Sequence, residues 1–160
     1  MGVRRKSQLP ILFVLIGVTI GCQSHPDLKA LKKEILDLHE GFIEAHLNKN
    51  IDFLVQDLSE DYFAISRGEI KKFTPEEMKS DLSDYINNTV FSEYKDVEEP
   101  IIGFSGDGSL AWAVFKVKAT GMFTSDDGSE QKLDFICAWL ALHERRDDRW
   151  ILLGDVSTFK

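Results

Sequence analysis

SLAWAVFKVKATGMF (109–123), KLDFICAWLALHE (132–144) and WILLGDVST (150–158) hold nearly every large apolar residue of the second half of the chain. The turn signals Ser125-Asp126-Asp127-Gly128 and Arg146-Asp147-Asp148-Arg149 separate them. Apolar runs of this kind bounded by Asp/Gly turns predict three long antiparallel strands. In the middle strand, Leu133, Phe135, Cys137, Trp139 and Ala141 alternate with Ile136, Ala138, Leu140 and Leu142. Both faces are therefore apolar, whereas a sheet with one wet face alternates apolar with polar. One face is expected to pack on helices. The other is expected to meet a second copy of the chain, giving a homodimer. The alternative is one chain that covers its own outer face with the 90–105 arm.

Working outward from this stretch, Gly106-Asp107-Gly108 is a hairpin turn. The segment 90–105 before it reads as an edge strand broken or bent near Glu99-Pro100, since proline cannot donate to the ladder. Thr74-Pro75-Glu76-Glu77 carries a capping box and opens a helix whose inner face is Met78, Leu82, Tyr85 and Ile86; Asn87-Asn88 ends it. A short strand at 61–66 turns at Arg67-Gly68-Glu69 into another at 70–73, after a short helix at 51–58. Leu28, Leu31, Ile35, Leu38, Phe42 and Ala45 recur at spacings of three and four, predicting a long amphipathic helix from Pro26-Asp27 to about Asn48–Asn50. His39 and His46 lie two turns apart on that helix, roughly 10 Å, too far to share a metal ion. They are expected to flank the stripe, partly exposed.

The first 21 residues read as an address. Arg4, Arg5 and Lys6 form a positive leader, and Leu9–Ile20 is an apolar run too short to span a membrane comfortably. Thr19-Ile20-Gly21-Cys22 resembles the bacterial lipobox, with Thr19 where leucine is usual. The resemblance implies cleavage before Cys22, its lipidation, and a lipid-anchored protein of the cell envelope. Gln23 in place of aspartate implies outer-membrane sorting, facing the periplasm, if the host is Gram-negative. The expected organisation is 1–21 signal peptide, 22–26 lipidated cysteine and linker, and 27–160 a single domain. Without the leader, 16 basic residues face 27 acidic ones, a formal charge of −11. Such a domain is expected to be repelled by nucleic acid and by anionic lipid headgroups. Two cysteines imply no disulfide framework.

The order of elements, with the segments Leu58-Ser59-Glu60-Asp61-Tyr62-Phe63, Ser105-Gly106-Asp107-Gly108-Ser109-Leu110-Ala111-Trp112 and His143-Glu144-Arg145-Arg146-Asp147-Asp148-Arg149-Trp150 followed by Ser157, resembles the nuclear transport factor 2-like superfamily in its SnoaL-like branch. The resemblance covers 27–159. It implies an α+β cone of cystatin-like type: a curved, mostly antiparallel sheet wrapped around a long N-terminal helix and shorter helices, with a pocket at the open end. Such proteins include isomerases, dehydratases, hydrolases, and non-enzymatic binding and assembly domains, and fold does not select among them. Relatives often carry a histidine in the last strand. Residues 151–156 hold none, which weighs against a histidine mechanism.

Asp155, between Leu153 and Val156, is the best candidate for a base, with Asp134 and Asp61 as runners-up. Its bland reading is a carboxylate bonded to backbone, Lys or Arg. Tyr62 is a candidate oxyanion donor or a core tyrosine. No firm catalytic set emerges. Cys137, flanked by Phe135, Ile136, Ala138 and Trp139, reads as an inert core thiol. Trp112 and Trp139 line a pocket or serve as core or interface residues. Alternation places Phe135, Cys137, Trp139 and Ala141 on the concave side, with Leu153, Asp155 and Ser157. The expected ligand-binding set is Tyr62, Trp112, Phe135, Cys137, Trp139 and Asp155. No phosphate loop, zinc spacing or nucleophile elbow appears, so no cofactor or metal is expected. The leading functional expectation is a membrane-anchored domain that binds a small, largely apolar molecule or acts as an accessory subunit. The alternatives are an isomerase, dehydratase or hydrolase using Asp155, and a protein-interaction module.

Overall fold

The computed structural model describes residues 26–160. The signal-peptide, Cys22 and Gln23 assignments lie outside the described residues. Among these, no helix is long and apolar enough to cross a membrane.

Helix α1 spans Leu28–Asn48 and is capped by Asp27, whose Oδ1 accepts the N–H groups of Lys29 (3.0 Å) and Ala30 (3.2 Å). It ends where Lys49 adopts a left-handed conformation (φ 57°). Asn50 caps the short helix α2, Ile51–Val55, which stops three residues earlier than its apolar pattern suggests because Leu58 already enters strand β1. Strand β1, Leu58–Ser66, turns through Arg67 and Gly68, both left-handed, into β2, Glu69–Phe73. The capping box at Thr74 and Glu77 forms and opens α3, Pro75–Asn88. The 90–105 arm is two strands, β3 (Thr89–Asp96) and β4 (Ile101–Phe104), interrupted before Pro100, and both pair with β5. The long strands are β5 (Leu110–Thr124), β6 (Glu130–Arg146) and β7 (Arg149–Phe159).

The sheet order is β2-β1-β7-β6-β5-β3, with β4 also on β5. All pairings are antiparallel except β1 with β7, which is parallel. This curved sheet with its helices on the concave side is the expected α+β architecture. The inner face of β5 presents Ala111, Ala113, Phe115, Val117 and Ala119, all buried. Its small residues let α1 lie close: Leu31 and Ile35 join Ala111, Ala113, Phe115, Ala141 and Trp150 in one core cluster. A second cluster, Ala45, Leu54 and Ile86, ties α1 to α2 and α3.

Three expectations are corrected. His39 and His46 do not flank the stripe; each is only 6% exposed. His39 stacks on Phe115 at 3.8 Å between ring centroids and bonds Asp96 Oδ1 through Nε2 (2.8 Å). His46 stacks on Tyr94 at 4.5 Å. Leu153 does not join Asp155 on the concave side. The β6–β7 register slips there, with Leu142 opposite Gly154 but His143 opposite Leu152. Leu153 is the extra residue, and Leu152 turns inward in its place. Trp112 is on the outer face, 42% exposed, lying across Gly103, where an added Cβ would sit 2.3 Å from the indole.

Gly121 has a backbone reason to be glycine. A Cβ there would sit 2.3 Å from the Val90 carbonyl oxygen, at the β3–β5 bulge. Gly121→Ala is expected to destabilise by about 1–3 kcal/mol, whereas Gly106→Ala, which meets nothing within 4 Å, is expected to be near neutral. Urea denaturation of the two variants checks this; equal midpoints would contradict the close approach.

Candidate functional site

Between the concave sheet and the three helices lies a cavity of about 930 Å3. Its position follows from side-chain size. Helix α1 packs on the alanines of β5 and on Ala141 and Trp150, and the inner residues of β6 and β7 beyond that contact line the open space. Phe135, Cys137, Trp139 and Ala141 from β6 line the cavity, as do Asp155 and Ser157 from β7 and Tyr62 from β1. Of the expected ligand-binding set, only Trp112 is elsewhere. Asp61 is exposed and does not line the cavity. Asp134 lines it from an exposed position, with Lys132 Nζ 3.6 Å away.

Asp155 and Tyr62 meet. They lie on paired parallel strands, with Ala64 opposite Asp155, and the Tyr62 hydroxyl donates to Asp155 Oδ2. The partner is thus a tyrosine rather than the backbone, lysine or arginine of the bland reading. Burial raises the Asp155 pKa above its ordinary value, and the tyrosine bond pulls it partly back. Burial and the adjacent carboxylate push the Tyr62 pKa well up, so the shared proton stays on the phenol. Burial also raises Cys137 to about 11, which keeps it a protonated thiol at neutral pH.

The wall holds groups the sequence reading left out. His39, His46 and His143 all line the cavity. The signal for the first two was present: Ile35, His39, Phe42 and His46 continue the helical stripe at spacings of four, three and four. His143 continues the inward alternation of Trp139 and Ala141. Burial lowers the pKa of His39, against the opposing pull of Asp96. It lowers His46 to about 4, against the bond that Nδ1–H donates to Phe42 O (2.9 Å), and His143 to about 4, against the charge of Asp57. The histidines are therefore neutral at pH 7. Chemically, the site is an apolar chamber with a few polar groups, most of them bonded to one another. Among the described residues no cluster of His, Cys, Asp or Glu is arranged to hold a metal ion.

The depressed histidines set an acid limit. The unfolded chain binds their protons more readily than the folded one between about pH 6.5 and 4. Stability is complete above that window and is lost as pH falls through it, by on the order of 2–3 kcal/mol for each of His46 and His143. Asp155 works in the opposite sense, since its raised pKa adds stability as pH falls into the carboxylate range. Urea midpoints at pH 7.5 and 5.0 are expected to differ, with the lower at pH 5.0, and His46→Phe to reduce the difference. A pH-independent midpoint would overturn this.

No protein-family model and no curated protein matches this sequence. Solved structures do. A nuclear transport factor 2-like protein from Cytophaga hutchinsonii superposes with a TM-score of 0.63 at 18% identity, over 79% of this chain and 96% of that one. A cystatin-like-fold protein from Caulobacter vibrioides gives 0.64 at 11% identity, over 82% and 90%. The association domain of C. elegans CaMKII gives 0.57 at 12% identity, over 81% and 96%. At these identities the likeness is one of fold, and the chain has the nuclear transport factor 2-like, cystatin-like fold.

Proposed function

We propose that this chain is a ligand-binding domain that takes a small, largely apolar molecule into its concave cavity. The observation that carries the reading is the wall itself. It is built mainly of aromatic and aliphatic side chains, and its central polar groups are bonded to one another: Tyr62 to Asp155, His39 to Asp96, His46 to the Phe42 carbonyl. Pockets with such walls draw affinity from apolar contact and orientation from a few polar groups. Catalysis by Asp155 as base and Tyr62 as donor needs both to face one reacting centre separately. Here the tyrosine spends its hydroxyl on the carboxylate, which supports binding over turnover. The SnoaL-like placement rests on the sequence segments 58–63, 105–112 and 143–150.

Titration with the neutral, fluorescent apolar probe N-phenyl-1-naphthylamine tests the reading. One site is expected, with Trp139 and Trp150 fluorescence responding, and Ser157→Trp, which fills the space opposite Trp139, is expected to weaken it at least tenfold. No saturable binding to the wild-type chain would end the proposal.

The same reading places the domain at a membrane through lipidated Cys22, in the cell envelope. The support is the leader sequence: basic start, short apolar run and lipobox-like Thr19–Cys22. Intact mass of the chain expressed in a bacterial host is expected to show loss of residues 1–21 and gain of acyl groups, both abolished by Cys22→Ala. An unmodified full-length mass would refute it.

Self-association through the outer sheet face completes the proposal. Trp112, Leu140 and Val156 are 42%, 40% and 44% exposed there on three adjacent strands, and contiguous apolar groups of this kind support an interface. Sedimentation equilibrium is expected to show a dimer that Leu140→Lys dissociates. A wild-type monomer would favour the interaction-module alternative, in which this face meets a different protein.

A further inference from the structure

Two tyrosines line the cavity without spending their hydroxyls. Tyr94 comes from β3 and Tyr85 from α3. Tyr62 donates to Asp155, but among the described residues neither the Tyr85 nor the Tyr94 hydroxyl makes a hydrogen bond. For Tyr94 this is unusual. It is only 8% exposed, and a buried tyrosine hydroxyl ordinarily has a partner. The hydroxyls are not walled off either. Among the described residues, the side-chain nitrogens and oxygens that are both unbonded and closed off from water are His143 Nδ1 and Arg145 Nε. The Tyr85 and Tyr94 hydroxyls are therefore unbonded and accessible, on residues that line the cavity.

The two rings are held in place and share a neighbour. Phe91 meets Tyr85 edge to face at 5.9 Å between centroids and Tyr94 at 5.4 Å. His46 stacks on Tyr94 from another side, and the Phe42 ring meets it edge-on at 6.4 Å. Cys137 of β6 packs in one core cluster with Tyr94 and lines the same cavity. Burial raises the pKa of Tyr85 to about 12, with the Cys137 thiol adding to it. Burial also pushes Tyr94 well up, and Tyr85, Cys137 and Asp96 push it further. Cys137 is raised by burial and then by Asp155. The three groups thus lie within electrostatic reach of one another and all keep their protons at neutral pH. Asp96 and Asp155 make the same spot unfavourable for negative charge. Its unmet capacity is for an uncharged acceptor. A carbonyl oxygen has two lone pairs, one for each phenolic O–H.

We infer that the ligand is an uncharged apolar molecule bearing a carbonyl oxygen, which accepts hydrogen bonds from the Tyr85 and Tyr94 hydroxyls beside Cys137. This rests on the ligand-binding reading above and names the ligand's class. The apolar body supplies affinity by leaving water, and the carbonyl fixes its orientation.

Acetylnaphthalene, ethylnaphthalene and naphthoate, substituted at one common ring position, present a ketone, a hydrocarbon and an anion on the same apolar body. Calorimetric titration of the full chain at neutral pH is expected to show the ketone binding roughly tenfold tighter than the hydrocarbon, and the anion more weakly than the ketone. Tyr85→Phe and Tyr94→Phe keep both rings and remove no hydrogen bond of the described fold. Each is expected to reduce the ketone preference and the pair to abolish it, with ethylnaphthalene affinity unchanged. The infrared carbonyl stretch of bound acetylnaphthalene is expected at lower frequency in the wild type than in either single variant. Equal affinity for ketone and hydrocarbon, a preference and a carbonyl frequency that survive both substitutions, or naphthoate binding tighter than the ketone overturns the carbonyl assignment while the apolar cavity reading stands. If N-phenyl-1-naphthylamine binds and acetylnaphthalene does not, the carbonyl assignment is likewise wrong. If neither binds, the ligand-binding reading fails with it.

Discussion

The rest of this structure depends on the register between β5 and β6. The two strands pair without interruption from Leu110 opposite Glu144 to Thr124 opposite Glu130. Because side chains alternate strictly along a strand, one fixed pair decides which half of every residue set faces inward. The pair Phe115–Trp139 is inward, so Ala111, Ala113, Val117 and Ala119 are inward too, and so are Phe135, Cys137 and Ala141. The small groups fall on β5 and the large ones on β6. Helix α1 therefore settles over β5 and reaches β3, where His39 bonds Asp96 and His46 stacks on Tyr94. What remains open is the part of the strip above β6 and β7 that lies beyond the contacts of α1 with Ala141 and Trp150. The cavity is a consequence of where alanine was placed, more than of any loop or lid.

Such a strip is costly to furnish with polar groups. A hydroxyl, imidazole or carboxylate withdrawn from water loses several kcal/mol of hydration unless it is bonded again. The wall answers this by closing its polar groups into pairs. Asp155 is the most expensive, and Tyr62 compensates it across the only parallel pairing in the described sheet. Glu34 does the same on the far side of the core, accepting from Trp150 Nε1 at 2.8 Å. The histidines take the other route and remain uncharged. Each device lowers the free energy of polar groups held in an apolar chamber.

Most of the architecture was legible because it is written in short-range rules. The Thr74–Glu77 box, the Asp27 cap, the glycine turns and the period-two runs act over a few residues. The inward set of β6 followed from the same alternation. What was not legible needed information from a second element. Leu153 and Asp155 share a parity in sequence, and only the β6–β7 slip, next to the Gly154 on which the Phe63 ring lies, separates them. Trp112 is as apolar as Trp139, and its exposure follows from the phase of β5 relative to β6, which no single strand reveals. The inward place of the histidines was not legible for a different reason: a buried neutral imidazole satisfies the geometry of an apolar stripe without counting as apolar.

Fold likeness at 11–18% identity carries no chemistry, so function has to be argued from the distribution of satisfied and unsatisfied groups. Inside the chamber most of the bonding capacity is consumed within the wall, and His143 Nδ1 is the buried exception. Tyr62 with Asp155 and His39 with Asp96 each satisfy a carboxylate from within the wall, so what the wall presents to the cavity is chiefly aromatic and aliphatic surface.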